Sequence, residues 1–185
     1  MKASKNDALV QEYAKCILFN YSYKYFYGDG YGKDYRIFNL ADDRDEESRK
    51  LYLTACLLAF YQQKKLYQDQ IQELQPFLLE NPLWVFVGGS VNAVRSQRGR
   101  QVSDVVDILL FLAEFVAHPD RSSEALARLL SGKPGLLDRQ KREIFSTAFT
   151  YIHQNLRQQQ WTTLDLFHDI LAQIFNASSQ GQLSV

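Results

Sequence analysis

The sequence predicts a mainly α fold with one or two short β-strands. Apolar residues recur at helical spacing over most of the chain, as at Leu51, Ala55, Leu58 and Leu66, and again at Phe167, Ile170, Leu171 and Ile174. One run, Leu83-Trp84-Val85-Phe86-Val87, is apolar without alternation and too short for a helix, which is the pattern of a strand buried on both faces. The other strand candidate, Tyr35-Arg36-Ile37-Phe38, is equally short.

In chain order, Leu9, Val10, Tyr13, Ala14, Ile17 and Leu18 predict a first helix over residues 7–19. It leads into Tyr21-Ser22-Tyr23-Lys24-Tyr25-Phe26-Tyr27, and Gly28, Gly30 and Gly32 end it. The acidic turn Asp42-Asp43-Arg44-Asp45-Glu46-Glu47 suits a helix amino terminus, where the backbone dipole favours negative charge. A second long helix is expected over 46–74, since no Gly or Pro intervenes before Pro76. Beyond the apolar run and an arginine loop, Ser103-Asp104 caps a helix with Val105, Ile108, Leu109, Leu112 and Phe115 on its core face, stopped by His118-Pro119. Three helices follow. The first spans 122–130 and stops at Gly132; the second spans 138–155 and buries Ile144, Phe145, Ala148, Phe149 and Ile152. The third, over 162–175, opens with the Thr162-x-x-Asp165 capping pattern. No internal repeat supports an α-solenoid. The expected division is 1–80, 81–176 and a polar tail, 177–185.

A chain of 185 residues can build one domain that buries roughly 70% of its unfolded surface. Its 46% hydrophobic and 23% charged content is that of a soluble globular protein. Formal net charge is zero, so a nucleic-acid partner would have to be held by a local patch. Cys16 and Cys56 form no CxxC pair and lie near no His at ligand spacing, which predicts reduced thiols and no metal. The polar start from Met1 to Asp7 is unlike a signal peptide, and no apolar stretch approaches the roughly 20 residues of a membrane span. A cytoplasmic protein with no membrane partner is expected.

Arg95, Arg98 and Arg100 are followed by no acid until Asp104, and guanidinium forks pair bidentately with phosphate oxygens. Their place after a buried strand and before a capped helix favours an anion site over an ordinary solvated loop. Tyr21, Tyr23, Tyr25 and Tyr27 alternate with period two. On a strand they would present four rings on one face, able to stack bases at roughly 1–3 kcal/mol each; the alternative is an aromatic-rich helix end. The glycine loop over 28–34 fails the Walker A template, because its first glycine would fall at Tyr27 and Lys33 is followed by Asp34. It is a tight connection. His118, His153 and His168 fall on different helices, and Asp165 and Asp169 beside His168 read as a solvated face. No catalytic residue is expected.

Pro82-Leu83-Trp84-Val85-Phe86-Val87-Gly88-Gly89-Ser90-Val91, followed by Val102-Ser103-Asp104-Val105-Val106 and Phe111-Leu112, resembles the opening of the second motor lobe in DEAD/DEAH-box helicases related to the helicase subunit of type III restriction enzymes. There the strand and loop are helicase motif IV. Asn20 to Tyr27, Leu51 to Gln63 and Ser131-Gly132-Lys133-Pro134-Gly135-Leu136-Leu137-Asp138 also resemble that family, so the similarity covers nearly the whole chain. The resemblance implies a fragment of an α/β RecA-like (P-loop) helicase motor. In it, 1–80 is the helical inter-lobe region and 81–176 the start of the second lobe with a helical insertion. It implies nucleic acid as partner, DNA before RNA, together with the remaining lobes, and gives Gly88, Gly89 and Ser90 a phosphate-backbone contact. The arginine assignment rests on charge and position alone.

ATP and magnesium would belong to the parent enzyme. This chain lacks a Walker A loop, a DEAD box and an arginine finger, so no cofactor and no catalysis are expected of it alone. A rival expectation is a self-contained helical module that binds a protein through its tyrosine-rich face. A third, an enzyme with a site between helices, finds no supporting acid, base or nucleophile pairing. Should residues 83–87 lack sheet partners, their open edges would favour aggregation.

Overall fold

Asp45 opens the long helix as the dipole argument requires. Its carboxylate accepts the Ser48 N–H at 2.8 Å and Glu46 and Glu47 fill the first turn of α3, Glu46–Asp69. The computed structural model describes residues 7–16, 19–32, 34–41, 45–87, 94–97 and 100–177, and of 7–10, 94–97 and 100–104 the backbone alone. Asp42, Asp43 and Arg44 of the acidic turn, and residues 178–185 of the tail, lie outside them.

The chain divides into two compact units, Met1–Ile37 and Phe38–Val185. Both α3 and residues 81–87 belong to the second unit. In the first unit are α1 (Asp7–Lys15), shorter than the 7–19 expected, and α2 (Tyr23–Gly28). Residues 35–38 are extended without strand pairing.

The second unit is mainly helical. After α3 come the single turn α4 (Ile71–Leu74) and a 3-10 turn, Gln75–Phe77, so the helix expected to run unbroken to 74 is interrupted at Gln70. Among the described residues the strands are β1 (Val94–Gln97) and β2 (Arg100–Ser103), followed by α5 (Asp104–Ala117), α6 (Pro119–Leu130), α7 (Thr150–Gln159) and α8 (Thr163–Phe175). Helix α6 packs on α8 and α3, and α3 also meets α5, α7 and α8. Leu51, Ala55 and Leu58 of α3, Leu126 and Leu129 of α6, and Phe167, Ile170 and Leu171 of α8 supply much of the buried core. No described helix is long and apolar enough to cross a membrane.

Two expectations are corrected. The helix predicted over 138–155 begins only at Thr150. The Asp138 carboxylate accepts the N–H groups of Gln140 (2.8 Å) and Arg142 (2.9 Å) and pairs with the Arg142 guanidinium at 2.7 Å. With the Leu137–Glu143 bridge, this folds the segment into a closed turn with Lys141 at φ 60°. Phe145 and Phe149 are buried all the same, their rings parallel at 5.8 Å, with Phe38 stacked on Phe145 at 4.5 Å. In α5 the buried residues are Phe111 and Phe115, while Val105 and Leu109 of the expected face are exposed. That helix is apolar nearly all round, so periodicity cannot choose its face; the Phe115 ring, 5.4 Å from Phe167, does.

The capping pattern of α8 is realised in both directions. The Asp165 N–H donates to Thr162 Oγ1 at 3.2 Å, and the Thr162 N–H donates to the Asp165 carboxylate at 2.8 Å. Asn176, at φ 48°, closes the helix in the left-handed conformation that asparagine tolerates. Thr162→Ala is expected to cost about 1 kcal/mol in urea unfolding, and Phe167→Ala, which empties a fully buried ring site, about 3–5 kcal/mol.

Candidate nucleic-acid interface

The apolar run is extended, and it is not a doubly buried strand. Trp84 lies on Phe60 of α3 with ring centroids 5.6 Å apart, and Phe86 lies against Trp84 at 4.4 Å. Leu83, Val85 and Val87 are 82%, 64% and 91% exposed. Period-two alternation is thus present in space although the sequence hides it, because both sets of side chains are apolar. One side of the segment is anchored by an aromatic stack. The other has no covering layer, and the described residues supply no strand beside it.

The arginine region is a hairpin where a loop was expected. Strands β1 and β2 are antiparallel, with Val94 opposite Ser103, Arg95 opposite Val102, Ser96 opposite Gln101 and Gln97 opposite Arg100. Arg95 and Arg100 therefore occupy paired strands, two rungs of the ladder apart. Gly88, Gly89, Ser90 and Arg98 lie outside the described residues. A signal for the hairpin was present: two residues separate the strands, and the second is Gly99, the residue type that short hairpin turns favour there. Helix α5 follows directly and exposes Val105, Leu109 and Leu110.

Of the two readings of the four alternating tyrosines, a strand array and an aromatic-rich helix end, the structure shows the helix end. Tyr23, Tyr25 and Tyr27 lie on helix α2, where Tyr23 and Tyr27 are neighbours at 6.0 Å and Tyr25 projects elsewhere. What replaces the array is a continuous patch of exposed rings. Phe19 stacks on Tyr21 at 5.9 Å, Tyr21 meets Phe26 edge-on at 6.2 Å, and Phe26 touches Tyr23 and Tyr31. Tyr35 joins through Tyr23. The Tyr21 hydroxyl donates to Asp29 and the Tyr27 hydroxyl to Asp34, both at 2.5 Å. The glycine loop serves this patch: a Cβ on Gly32 would lie 2.8 Å from the Tyr27 ring, so only glycine lets the chain close over it.

Asp165 and Asp169 have structural partners. Asp165 caps α8, and its hydrogen bonds from Thr162 hold its carboxyl below the usual range. Asp169, expected on a solvated face, accepts the Tyr61 hydroxyl at 2.5 Å. Burial, then that carboxylate, pushes the Tyr61 phenol up. Burial likewise raises the Cys56 thiol, which leaves it a poor nucleophile. A cleft of about 330 Å³ between α3, α5 and α6 has His118 at its edge. The Lys50–Glu114 and Arg128–Glu47 pairs, at 2.7 and 2.8 Å, take up much of the charge on its rim. Among the described residues no group of His, Cys, Asp or Glu could hold a metal ion. Tyr61 with Asp169 was illegible as a pair, because 108 positions separate them.

No family model, curated protein or solved structure matches the chain.

The buried phenols set an alkaline limit. Burial raises Tyr52 to about 12, above its unfolded value near 10. Its contribution is therefore complete below pH 10 and is lost as pH rises from 10 to 12. Tyr61 acts in the same direction. Urea unfolding at pH 8, 10 and 12 should show wild-type stability falling over that window and a shallower fall in Tyr52→Phe. Tyr61→Phe should also start about 1–3 kcal/mol lower at pH 8, with the Asp169 carboxylate deprived of its donor.

Proposed function

We propose that this chain is part of an ATP-dependent nucleic-acid helicase or translocase of the type III restriction-enzyme kind, holding the nucleic-acid backbone while catalysis takes place elsewhere in the parent enzyme. The observation that carries the reading is the segment over 83–87. It is extended, fixed to α3 by Trp84 on one side, and open on the other through Leu83, Val85 and Val87. A strand covered by a helix on one face only is half of an α/β layer, and its natural complement is a sheet supplied by the rest of a RecA-like lobe. The exposed apolar residues of α5, a helix that follows the hairpin at once, add to the surface such a lobe would cover.

In this reading Gly88, Gly89, Ser90, Arg95, Arg98 and Arg100 contact phosphates, with DNA before RNA as the partner. ATP and magnesium are bound by the remaining lobes, and the protein is cytoplasmic. A second reading, a self-contained interaction module, is favoured by the exposed ring patch of the first unit.

Anisotropy titration of a labelled single-stranded oligonucleotide at two salt concentrations separates the two. Three arginine–phosphate contacts give a slope of log affinity on log salt near −2, at about 0.7 per phosphate. The Arg95, Arg98 and Arg100 triple alanine variant should flatten that slope toward zero. A folded sample that binds no oligonucleotide at low salt would remove the nucleic-acid reading for this chain.

A further inference from the structure

We propose that the cleft between α3, α5 and α6 binds a free amino acid with an apolar side chain, its carboxylate on Arg121 and its ammonium on Glu124. The inference stands apart from the motor reading, since it uses none of the residues over 83–100. At about 330 Å³ the cleft lies at the small end of the ~300–1,000 Å³ range of ligand pockets, which suits a molecule smaller than a nucleotide. Its floor is apolar. Leu51, Phe111, Phe115 and Ala125 line it, and the Phe111 and Phe115 rings, 6.4 Å apart, offer a surface on which a third apolar group packs. The hydroxyls of Thr54 and Ser122, both buried in its wall, already donate to the Lys50 and Phe115 carbonyls. Toward a ligand each has acceptor capacity alone, so a carboxylate must find its donors among the charged side chains of the rim.

The full set of charges on the rim decides the class of ligand. It comprises the acids Glu47, Glu114 and Glu124, the bases Lys50, Arg121 and Arg128, and His118. Two of the bases are committed to structure. Lys50 lies between Glu114 at 2.7 Å and Glu46, outside the lining, at 3.2 Å. Arg128 joins Glu47 at 2.8 Å, and its Nε donates to the Pro134 carbonyl. Arg121 and Glu124 have no side-chain partner among the described residues. Besides His118, one positive and one negative group are thus left, three residues apart on α6 and so neighbours on its surface, roughly 5–6 Å apart at Cβ. An α-amino acid carries its carboxylate and ammonium on a single carbon, with the side chain free to reach the floor, and so matches that pair with the signs reversed. A phosphate-bearing ligand would meet the rim carboxylates with one uncommitted guanidinium, and a peptide lacks the two adjacent ends. Helix α6 sets the orientation. Its amino terminus, positive through the backbone dipole, is nearer Arg121 than Glu124 and favours the carboxylate there; Asp120, in the same first turn, is not part of the lining.

The test is an NMR titration of the isotope-labelled full chain with L-phenylalanine, with hydrocinnamate, which lacks the ammonium, and with L-phenylalaninamide, which lacks the carboxylate. Wild type is compared with Arg121→Gln, Glu124→Gln and, as a control on α7, Arg157→Gln. L-phenylalanine should shift amide signals of α3, α5 and α6 saturably, and each analogue should bind about tenfold more weakly, as the loss of one charge-assisted contact implies. Arg121→Gln should weaken phenylalanine and hydrocinnamate about tenfold and leave the amide unchanged. Glu124→Gln should weaken phenylalanine and the amide and spare hydrocinnamate, while the control changes none of the three. The substituted side chains are all exposed, and circular dichroism checks that helix content is retained. Absence of saturable phenylalanine binding to wild type would overturn the proposal. So would an analogue that binds as tightly as the amino acid, or variants that weaken all three ligands alike.

Discussion

The second unit depends on one side of α3. Leu51, Ala55 and Leu58 fall at successive helical turns and are almost wholly buried, and α5, α6, α7 and α8 pack on the helix that carries them. Ala55 brings no bulk to that contact, so neighbouring helices can approach closely. Further along, the polar atoms of α3 are satisfied by its neighbours. Gln62 donates to the Ala148 carbonyl and accepts the Ile152 N–H near the start of α7, and Gln68 bonds Gln173 on α8. The packing of α7 and α8 is therefore specified by paired polar groups as well as by apolar area, and an unpaired member would cost more than its hydrogen bond returns.

That arrangement leaves apolar surface unused. Residues 83–87 lie against α3 through Trp84, with Leu83, Val85 and Val87 exposed, and α5 spends Phe111 and Phe115 on the core while Val105, Leu109 and Leu110 face outward. Helices can cover one face of an extended segment, but they cannot supply the N–H and C=O partners that its two edges require.

Much of the helical content was legible because its signals are local. The Thr162–Asp165 capping pair, the carboxylates ahead of α3 and the His118-Pro119 break act within a turn of where they stand, and each marks a helix end in the structure. The errors share a different cause. Over 138–149 a single carboxylate, Asp138, gathers two N–H groups and a guanidinium, and the resulting turn outweighs the apolar periodicity of Ile144, Phe145 and Ala148. In α5 the periodicity was uninformative. For the tyrosines, period two left a strand and an aromatic-rich helix end both open, and the helix that forms divides the rings between faces. Pairs such as Tyr61 with Asp169 depend on the tertiary fold and leave no trace in spacing.

The disposition of acids bears on what kind of work the chain performs. Asp45, Asp138 and Asp165 cap backbone; Asp69 and Asp169 hold the hydroxyls of Tyr151 and Tyr61; Glu143 accepts the Gly135 N–H; Glu47 and Glu114 are paired with Arg128 and Lys50. Catalytic carboxylates are marked by the opposite condition, a buried or crowded acid whose proton is poised near the working pH. Here the resolved shifts run the other way, with Asp138 and Asp165 held low by the hydrogen bonds they accept, and so committed to the charged state. Asp29 and Asp34 differ in being attached to exposed rings. Among the described residues, the groups left exposed by folding include the apolar side chains of Leu83, Val85 and Val87 and of α5, and the rings with Asp29 and Asp34 beside them.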